Sequence, residues 1–591
     1  MSRRARSEVL VLALTVAAIG LPGGCARPAK APPAPRGAAA SKAESAPREN
    51  ARIEFEDRAA ALGIEAVYSS GGDAGHCTIL ESLGGGVGWI DYDQDGWLDL
   101  VAPGGGGFTE DERILGRPTG LWRGRGGAAF SSAGSQAGLG DDALYSHGVA
   151  VGDLDNDGFP DLLVTGYGVP RLWRNMGDGT FAPGPSPAGD DARWSSSAGW
   201  ADVDGDGVLD LYLARYVDWS FANHPFCGVN AESRDICPPR SFSGLPDSLY
   251  RGDGEGGFAE ISAAAGLRPD GKGLGVLLAD VDVDGDVDVY VANDTVDNFL
   301  YVNDGRGRFE ESGLVSGTAL DDQGVPNGSM GIDLCDFNRD GLPDLWVTNY
   351  EREWFALYRN EGRGNFLHVS RRHGITDIGG LFVGFGTACA DFDADGLVDI
   401  AVTDGHVIKF PDASPLLQQP LYLRYDGDRF RRGTAAPGSY FDAVHMGRGL
   451  ATGDYDRDGD LDLAISHTGE ALAVLENRFR RAGRSVLVRL IGTASNRDAV
   501  GARVEIVGVD PSPALQVTGG ASYLSHSDKR LQVVLPDGGE GEPRLRVRWP
   551  AGGVEEVAVP AGAAELTVVE SAAAGAAMAT GSIRGGKRSV P

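Results

Sequence analysis

The pattern Asp-x-Asp-x-Asp-Gly-x-x-Asp occurs seven times in this 591-residue chain, with one substitution. The copies place carboxylates at Asp91, Asp93, Asp95 and Asp99, at Asp153, Asp155, Asp157 and Asp161, and at Asp202, Asp204, Asp206 and Asp210. They continue at Asp280, Asp282, Asp284 and Asp288, and at Asp336, Asn338, Asp340 and Asp344. The last two are Asp391, Asp393, Asp395 and Asp399, and Asp454, Asp456, Asp458 and Asp462. Alternate side chains of a tight loop point inward together, and oxygen-only ligands at flexible geometry are what a hard cation takes, calcium more readily than the smaller magnesium. The glycine at position 6 permits the sharp turn that a Cβ would obstruct. The competing reading is that Asp-Gly is merely a turn dipeptide. Against it, the seven windows hold 29 aspartates, close to the whole net charge of −31, and such clusters without a cation repel themselves. Calcium is therefore the expected cofactor, with the Asn338 loop one charge short. A helix-loop-helix calcium hand needs an oxygen ligand at position 12, where this chain has Ala102, Val164, Leu213, Val291, Val347, Val402 and Ile465.

Those apolar residues begin the next element. Each loop follows a Gly-rich apolar run such as Gly148-Val-Ala-Val-Gly152 and precedes a β-rich run such as Leu162-Leu-Val-Thr165, so the loop joins two strands. Most units then carry a segment like Leu172-Trp-Arg-Asn175 and another like Gly177-Asp-Gly-Thr-Phe181, which supply a third and a fourth strand. The first residues of successive loops lie 62, 49, 78, 56, 55 and 63 apart. Repeated four-stranded units of that size match radial repetition, which hides strand edges by closing a ring. The fold class is all-β: a seven-bladed β-propeller over 51–480, then a small β-domain over 484–570 and a disordered tail over 571–591. The seventh unit lacks its fourth strand after Leu475-Glu-Asn477, and Ile53-Glu-Phe55 looks like that element standing alone, so the N-terminal strand is expected to complete the last blade.

Residues 1–25 read as an export signal, with Arg3, Arg4 and Arg6 before an apolar run and a small-residue cleavage site. Cys25 after two glycines resembles a bacterial lipobox, with the usual leucine displaced to Leu21. The expected product is an outer-membrane or cell-surface lipoprotein, or a secreted protein, with membrane contact only through that lipid. Residues 26–50 form a spacer of Ala, Pro and charge. The acidic balance excludes nucleic acid as a partner. With Cys25 set aside, Cys227 and Cys237 are expected to pair and staple the longest inter-loop insertion. Cys335 and Cys389 read as interior filling, and Cys77 has no assigned partner.

No nucleophile turn or zinc-type His spacing is present. A propeller can nevertheless assemble a site from equivalent points of different blades. The strand ends opposite the Asp loops bring His147, Arg215, Lys272, Asn293, Asn349, Asp404, His406 and His467 toward one mouth, read either as a hydrated rim or as a ligand site.

The repeat resembles the FG-GAP/VCBS calcium-propeller repeats. Val486-Leu-Val-Arg-Leu490, Gly501-Ala-Arg-Val504, Gly519-Gly-Ala-Ser-Tyr-Leu-Ser525 and Val547-Arg-Trp-Pro550 are similar to the ASPIC/UnbV domain. The pairing of the two looks like the cartilage acidic protein family, which has bacterial members. The run from Glu81 into the first Asp loop is typical of that family, whereas Val533-Val-Leu-Pro536 departs from it. The resemblance implies extracellular, calcium-dependent binding or adhesion to a protein or glycan and implies no reaction. The rival is an exported enzyme acting on polysaccharide or a small secondary metabolite in the mouth, since fold alone does not choose a function.

Overall fold

The computed structural model describes residues 52–140, 144–536 and 542–571, and the backbone of 578–583. The signal segment, Cys25 and the 26–50 spacer lie outside the described residues.

Seven four-stranded antiparallel sheets account for the repeats. Their first strands, from Gly88–Ile90 and Tyr145–Gly152 through Gly447–Gly453, neighbour one another in order, and the last lies against the first. The sheets therefore close a ring and form the blades of a β-propeller. Phe55–Asp57 pairs antiparallel with Ala473–Asn477 and supplies the outer strand of the seventh blade, so the two ends of the repeat region meet in one sheet. The inner strands are mostly buried, Tyr145–Gly152 and Ser195–Ala201 along their whole length, because each is covered by neighbouring blades on both faces. Six of the seven carry a register shift near their start, as between Ser146 and Val149. The bulge brings glycines to the axis: a Cβ on Gly331 would stand 2.0 Å from the Phe385 carbonyl of the next blade.

An asparagine repeated at or near the end of several third strands locks blade to blade. Asn175 Nδ2 donates to Tyr92 O of the preceding blade (2.8 Å) and to Pro160 O of its own loop (3.1 Å). Asn303, Asn360 and Asn477 repeat both bonds in their own blades.

The C-terminal domain has two four-stranded sheets. In one, Arg484–Ile491 lies between Leu531–Leu535, antiparallel, and Ala563–Val569, parallel. The strand containing Val533 is thus paired along its length with Arg484–Ile491 and forms one edge of the sheet, despite its unusual sequence. Met578–Ile583 extends the same sheet against Ala563–Val569, which corrects the expectation of disorder for those six residues, while 572–577 and 584–591 lie outside the described residues. Its Ala, Thr, Gly and Ser show no apolar period because this strand is held by main-chain pairing at an open edge.

Between Leu515–Gln516 and Leu531–Leu535, the chain enters the ring itself. Gly519 O accepts from Trp200 N (2.7 Å) and Gly519 N donates to Leu278 O (2.9 Å). Ser522 Oγ accepts from Thr387 N (3.0 Å), and Leu524 O accepts from Val149 N (3.1 Å). His526 exchanges backbone bonds with Val87 and Trp89, and Asp528 N donates to Thr452 O (2.9 Å). With Ser522 paired to Ile332, this one segment is bonded to all seven blades and plugs the channel. A Cβ on Gly86 would fall 1.7 Å from Leu524 O, so only glycine admits the plug there. The C-terminal core is continuous with that of blades two to four, through Trp200, Val276 and Val504 among others.

Candidate metal loops

Each loop is built by its own aspartates in a fixed division of labour. The first caps the turn: Asp153 accepts from Asp157 N (3.1 Å) and Gly158 N (2.8 Å), and Asp280, Asp336, Asp391 and Asp454 do the same for their fifth and sixth residues. The ninth ties the loop to the third strand: Asp161 accepts from Leu154 N (3.3 Å) and Asn175 N (2.7 Å). Asp99, Asp210, Asp288, Asp344 and Asp462 repeat this. In the sixth blade Tyr422 Oη donates to Asp399 (2.5 Å) in place of a backbone amide.

What remains faces inward. Carboxylate oxygens lie within 4.8 Å of one another in Asp91, Asp93 and Asp99, in Asp153, Asp155 and Asp157, and in Asp202, Asp204 and Asp206. Asp280, Asp282 and Asp288 form another such group, and Asp391, Asp393 and Asp395 a fifth. Asp91 Oδ1, Asp93 Oδ1 and Asp204 Oδ1 are buried with no hydrogen-bond partner. Burial first, then neighbouring aspartates, pushes Asp91 up to about 6, Asp153 to about 7 and Asp454 to about 8. Buried, mutually repelling, oxygen-only clusters with unused acceptor capacity fit a hard cation. In the fifth loop Asn338 Nδ2 donates to Asp340 Oδ2 (2.8 Å), which uses one acceptor internally.

Two features of the loops were not read from the sequence. Third-strand arginines reach them: Arg123 pairs with Asp95 (3.0 Å) and Asp93, Arg174 with Asp155, and Arg424 with Asp393 (2.5 Å) and Asp395 (2.8 Å). The arginine of the Leu-Trp-Arg-Asn segment was visible, but its reach across the sheet was not. The C-terminal domain also covers the loops. Asp498 accepts from Asp153 N (3.1 Å), Gln516 brackets Asp280 through its backbone N and O (3.0 and 3.1 Å), and Ala514 N donates to Asp336 (2.9 Å). Arg497 and Arg503 stand 3.6 Å from Asp153 and Asp280.

At the opposite face the mouth residues are buried and bonded locally. Arg215 pairs with Asp191 (2.8 Å) and donates to Arg193 O (2.9 Å), and Lys272 Nζ donates to Pro239 O (2.8 Å). Asn293 donates to Asp297 O (2.9 Å) and Asn349 to Trp354 O (2.6 Å). His406 stands 3.6 Å from Glu351, and His467 bonds Tyr440 Oη (2.8 Å) and Ala471 O (2.7 Å). Asp404 is buried with no hydrogen bond on either oxygen, and burial holds its carboxyl well above the usual range. His147 bonds Gly84 O (3.0 Å) and stacks with Trp194. Over these residues lies an aromatic cluster that includes Tyr68, Trp194, Trp219 and the plug's Tyr523. The loop closed by the Cys227–Cys237 disulfide (Cα–Cα 5.3 Å) packs into it. Arg448 is wholly buried there and donates only to carbonyls, those of Ser82, Gly405, Gly447 and His406, beneath the Phe385 ring. Its signal was a charged residue before an inner-strand glycine, where other blades place Leu274, Met330 or Phe385.

The loops and blades are those of the FG-GAP-like repeat, which matches residues 91–164, 153–213, 280–347 and 336–402, and residues 492–575 match the ASPIC and UnbV domain. The chain carries FG-GAP repeats followed by an ASPIC/UnbV domain. It is similar to cartilage acidic protein 1, a protein of the same architecture. The Xenopus tropicalis protein is 27% identical over 303 residues, covering 50% of this chain and 44% of the relative. The Homo sapiens protein is 26% identical over 322 residues, covering 52% and 46%. The chain thus spans about half the length of these relatives. Among solved structures, an Agrocybe aegerita lectin recognising non-reducing terminal N-acetylglucosamine aligns at TM-score 0.37 and 17% identity, over 62% of this chain and 86% of the lectin. The rhamnogalacturonan lyase YesW aligns at 0.35 and 12%, over 68% and 73%. Among the described residues, no helix is long and apolar enough to cross a membrane.

Proposed function

We propose that this chain is an exported calcium-binding module that holds a protein or glycan partner at the cell surface, tethered through Cys25 or secreted. The observation that carries the calcium reading is the set of buried carboxylate clusters, with oxygens of three aspartates within 4.8 Å in at least five loops. Bound calcium would be held by the side chains of the first, third and fifth residues of each loop, joined by the ninth where it lies in the cluster, as Asp99 and Asp288 do. When bound, the ion supplies charge compensation that fixes each turn. The repeat and domain composition supports adhesion-type binding.

The test has two parts. Protein purified in calcium should retain several ions by elemental analysis, and chelator should lower its melting temperature, with calcium restoring it better than magnesium. A glycan array and a surface-protein pull-down with the calcium-loaded form should then show retention that chelator abolishes. Absence of metal together with an unchanged melting temperature would overturn the calcium reading, and calcium-loaded protein retaining nothing in either assay would overturn the binding reading.

A further inference from the structure

Where the plug turns back into the C-terminal domain, a cavity of about 370 Å³ opens between the two domains on the Asp-loop face. Its walls carry many charges, and nearly all are paired. Arg457 bonds Glu565 (2.7 Å), Lys529 bonds Asp498, Arg530 bonds Asp528, and Arg497 stands 3.6 Å from Asp153. Three groups are left over. Arg489, half-buried on the strand Arg484–Ile491, makes no hydrogen bond or ion pair among the described residues. Neither ring nitrogen of His526 has a partner among them, although its backbone is fully engaged. Asp91 Oδ1 is buried and unbonded, and Arg489 supplies the favourable charge on that carboxylate, against the repulsion of Asp95 and Asp93.

If the Asp91 loop holds its ion, as proposed above, that carboxylate is committed and Arg489 faces the cavity with no counter-charge. A partly buried guanidinium without an anion is costly, and its planar fork matches a carboxylate in two parallel bonds. We propose that this interdomain cavity binds a small carboxylate-bearing molecule, gripped by the Arg489 guanidinium and bonded by the His526 ring. Three features select the class. The cavity has the volume of an ordinary small-molecule site. The Arg489 fork matches one carboxylate, and burial keeps His526 neutral, so it adds a hydrogen bond and no further charge. The walls are mainly polar, which favours a hydroxylated body over an apolar one.

The inference rests on the calcium reading, and the experiment separates the two. Calcium-loaded full-length protein, its metal content measured, is titrated calorimetrically with D-glucuronate, with D-glucose and inorganic phosphate as comparators, alongside Arg489→Met. Glucuronate should bind more tightly than either comparator and lose at least tenfold in Arg489→Met, with metal content and melting temperature unchanged. Metal-loaded protein that shows no glucuronate binding, equal affinity in Arg489→Met, or preference for phosphate overturns this inference alone. Protein that retains no metal overturns the calcium reading and this inference with it. Should Arg489→Met melt early, Arg489→Lys, which keeps the charge and loses the fork, must still weaken glucuronate for the proposal to stand.

Discussion

Ile332 and Ser522, one on the inner strand of the fifth blade and the other in the C-terminal domain, exchange both backbone hydrogen bonds, at 3.2 and 2.5 Å. The pair makes the plug a strand partner of the propeller. Because the same segment bonds every blade, the ring and the C-terminal domain share one interior and should unfold together.

Tyr523 is the plug's largest buried side chain, and its hydroxyl donates to Leu83 O (3.1 Å). Truncating a buried aromatic costs on the order of 3 to 5 kcal/mol. Tyr523→Ala should lose stability of that order in denaturant titration, with propeller and C-terminal domain still unfolding in one transition. Two separate transitions in the wild-type protein would show that the plug does not couple the domains.

The division between what the sequence revealed and what it concealed follows distance along the chain. The Asp loops were legible because all their chemistry lies within nine residues, and the blade closure because Phe55 repeats a motif missing after Asn477. Gly519-Gly-Ala-Ser-Tyr-Leu-Ser525 showed only a resemblance to the ASPIC/UnbV domain, and its entry into the ring was hidden because its partners are main-chain groups on other blades and leave no periodicity in its own residues. Arg215, Asn293, Asn349, Asp404 and His467 each end the second strand of a blade, as their common offset from the loops implied. What covers them, Tyr68, Trp219 and Tyr523, arrives from three unrelated segments that no local pattern connects.

The inter-blade asparagines make a sharper case. Asn360→Ala would strand the carbonyls of Val281 and Pro343, which now accept at 2.7 and 2.8 Å, and leaving buried acceptors unsatisfied costs about 1 to 3 kcal/mol. The loss should appear as faster amide exchange at the boundary of the fourth and fifth blades, with the first blade, which has Gly124 at this point, unaffected. Uniform acceleration around the ring would contradict a local staple.

Acid should weaken the fold through its buried histidines. Burial lowers His147 and His467 to about 4, against about 6.5 for a free side chain. As pH falls below 6.5 the unfolded chain takes up protons that the folded chain refuses, so this contribution is complete above 6.5 and lost progressively toward 4. The stability difference between the wild type and His147→Phe should therefore be flat above pH 7 and move toward the variant between 6.5 and 4. A difference independent of pH over that window would show that His147 is protonated in the folded protein.

Arg424 offers the last test, because it occupies the loop that a cation would enter. Its guanidinium lies 2.5 Å from Asp393 and 2.8 Å from Asp395, whereas the fourth blade has Val302 at the corresponding position. Without metal, the arginine offsets the repulsion among the aspartates. With metal, it shares their oxygens and opposes the ion. Arg424→Met should thus act in opposite directions: the calcium-free protein should melt earlier, and the rise in melting temperature on adding calcium should grow. Partly exposed pairs of this kind contribute up to about 1 kcal/mol, so calcium affinity at that loop should improve severalfold. Val302→Arg should do the reverse in the fourth blade, lowering affinity there without stabilising the calcium-loaded form. If Arg424→Met left the calcium-induced rise unchanged, the guanidinium and the ion would not compete, and the third and fifth aspartates of that loop would not be ligands.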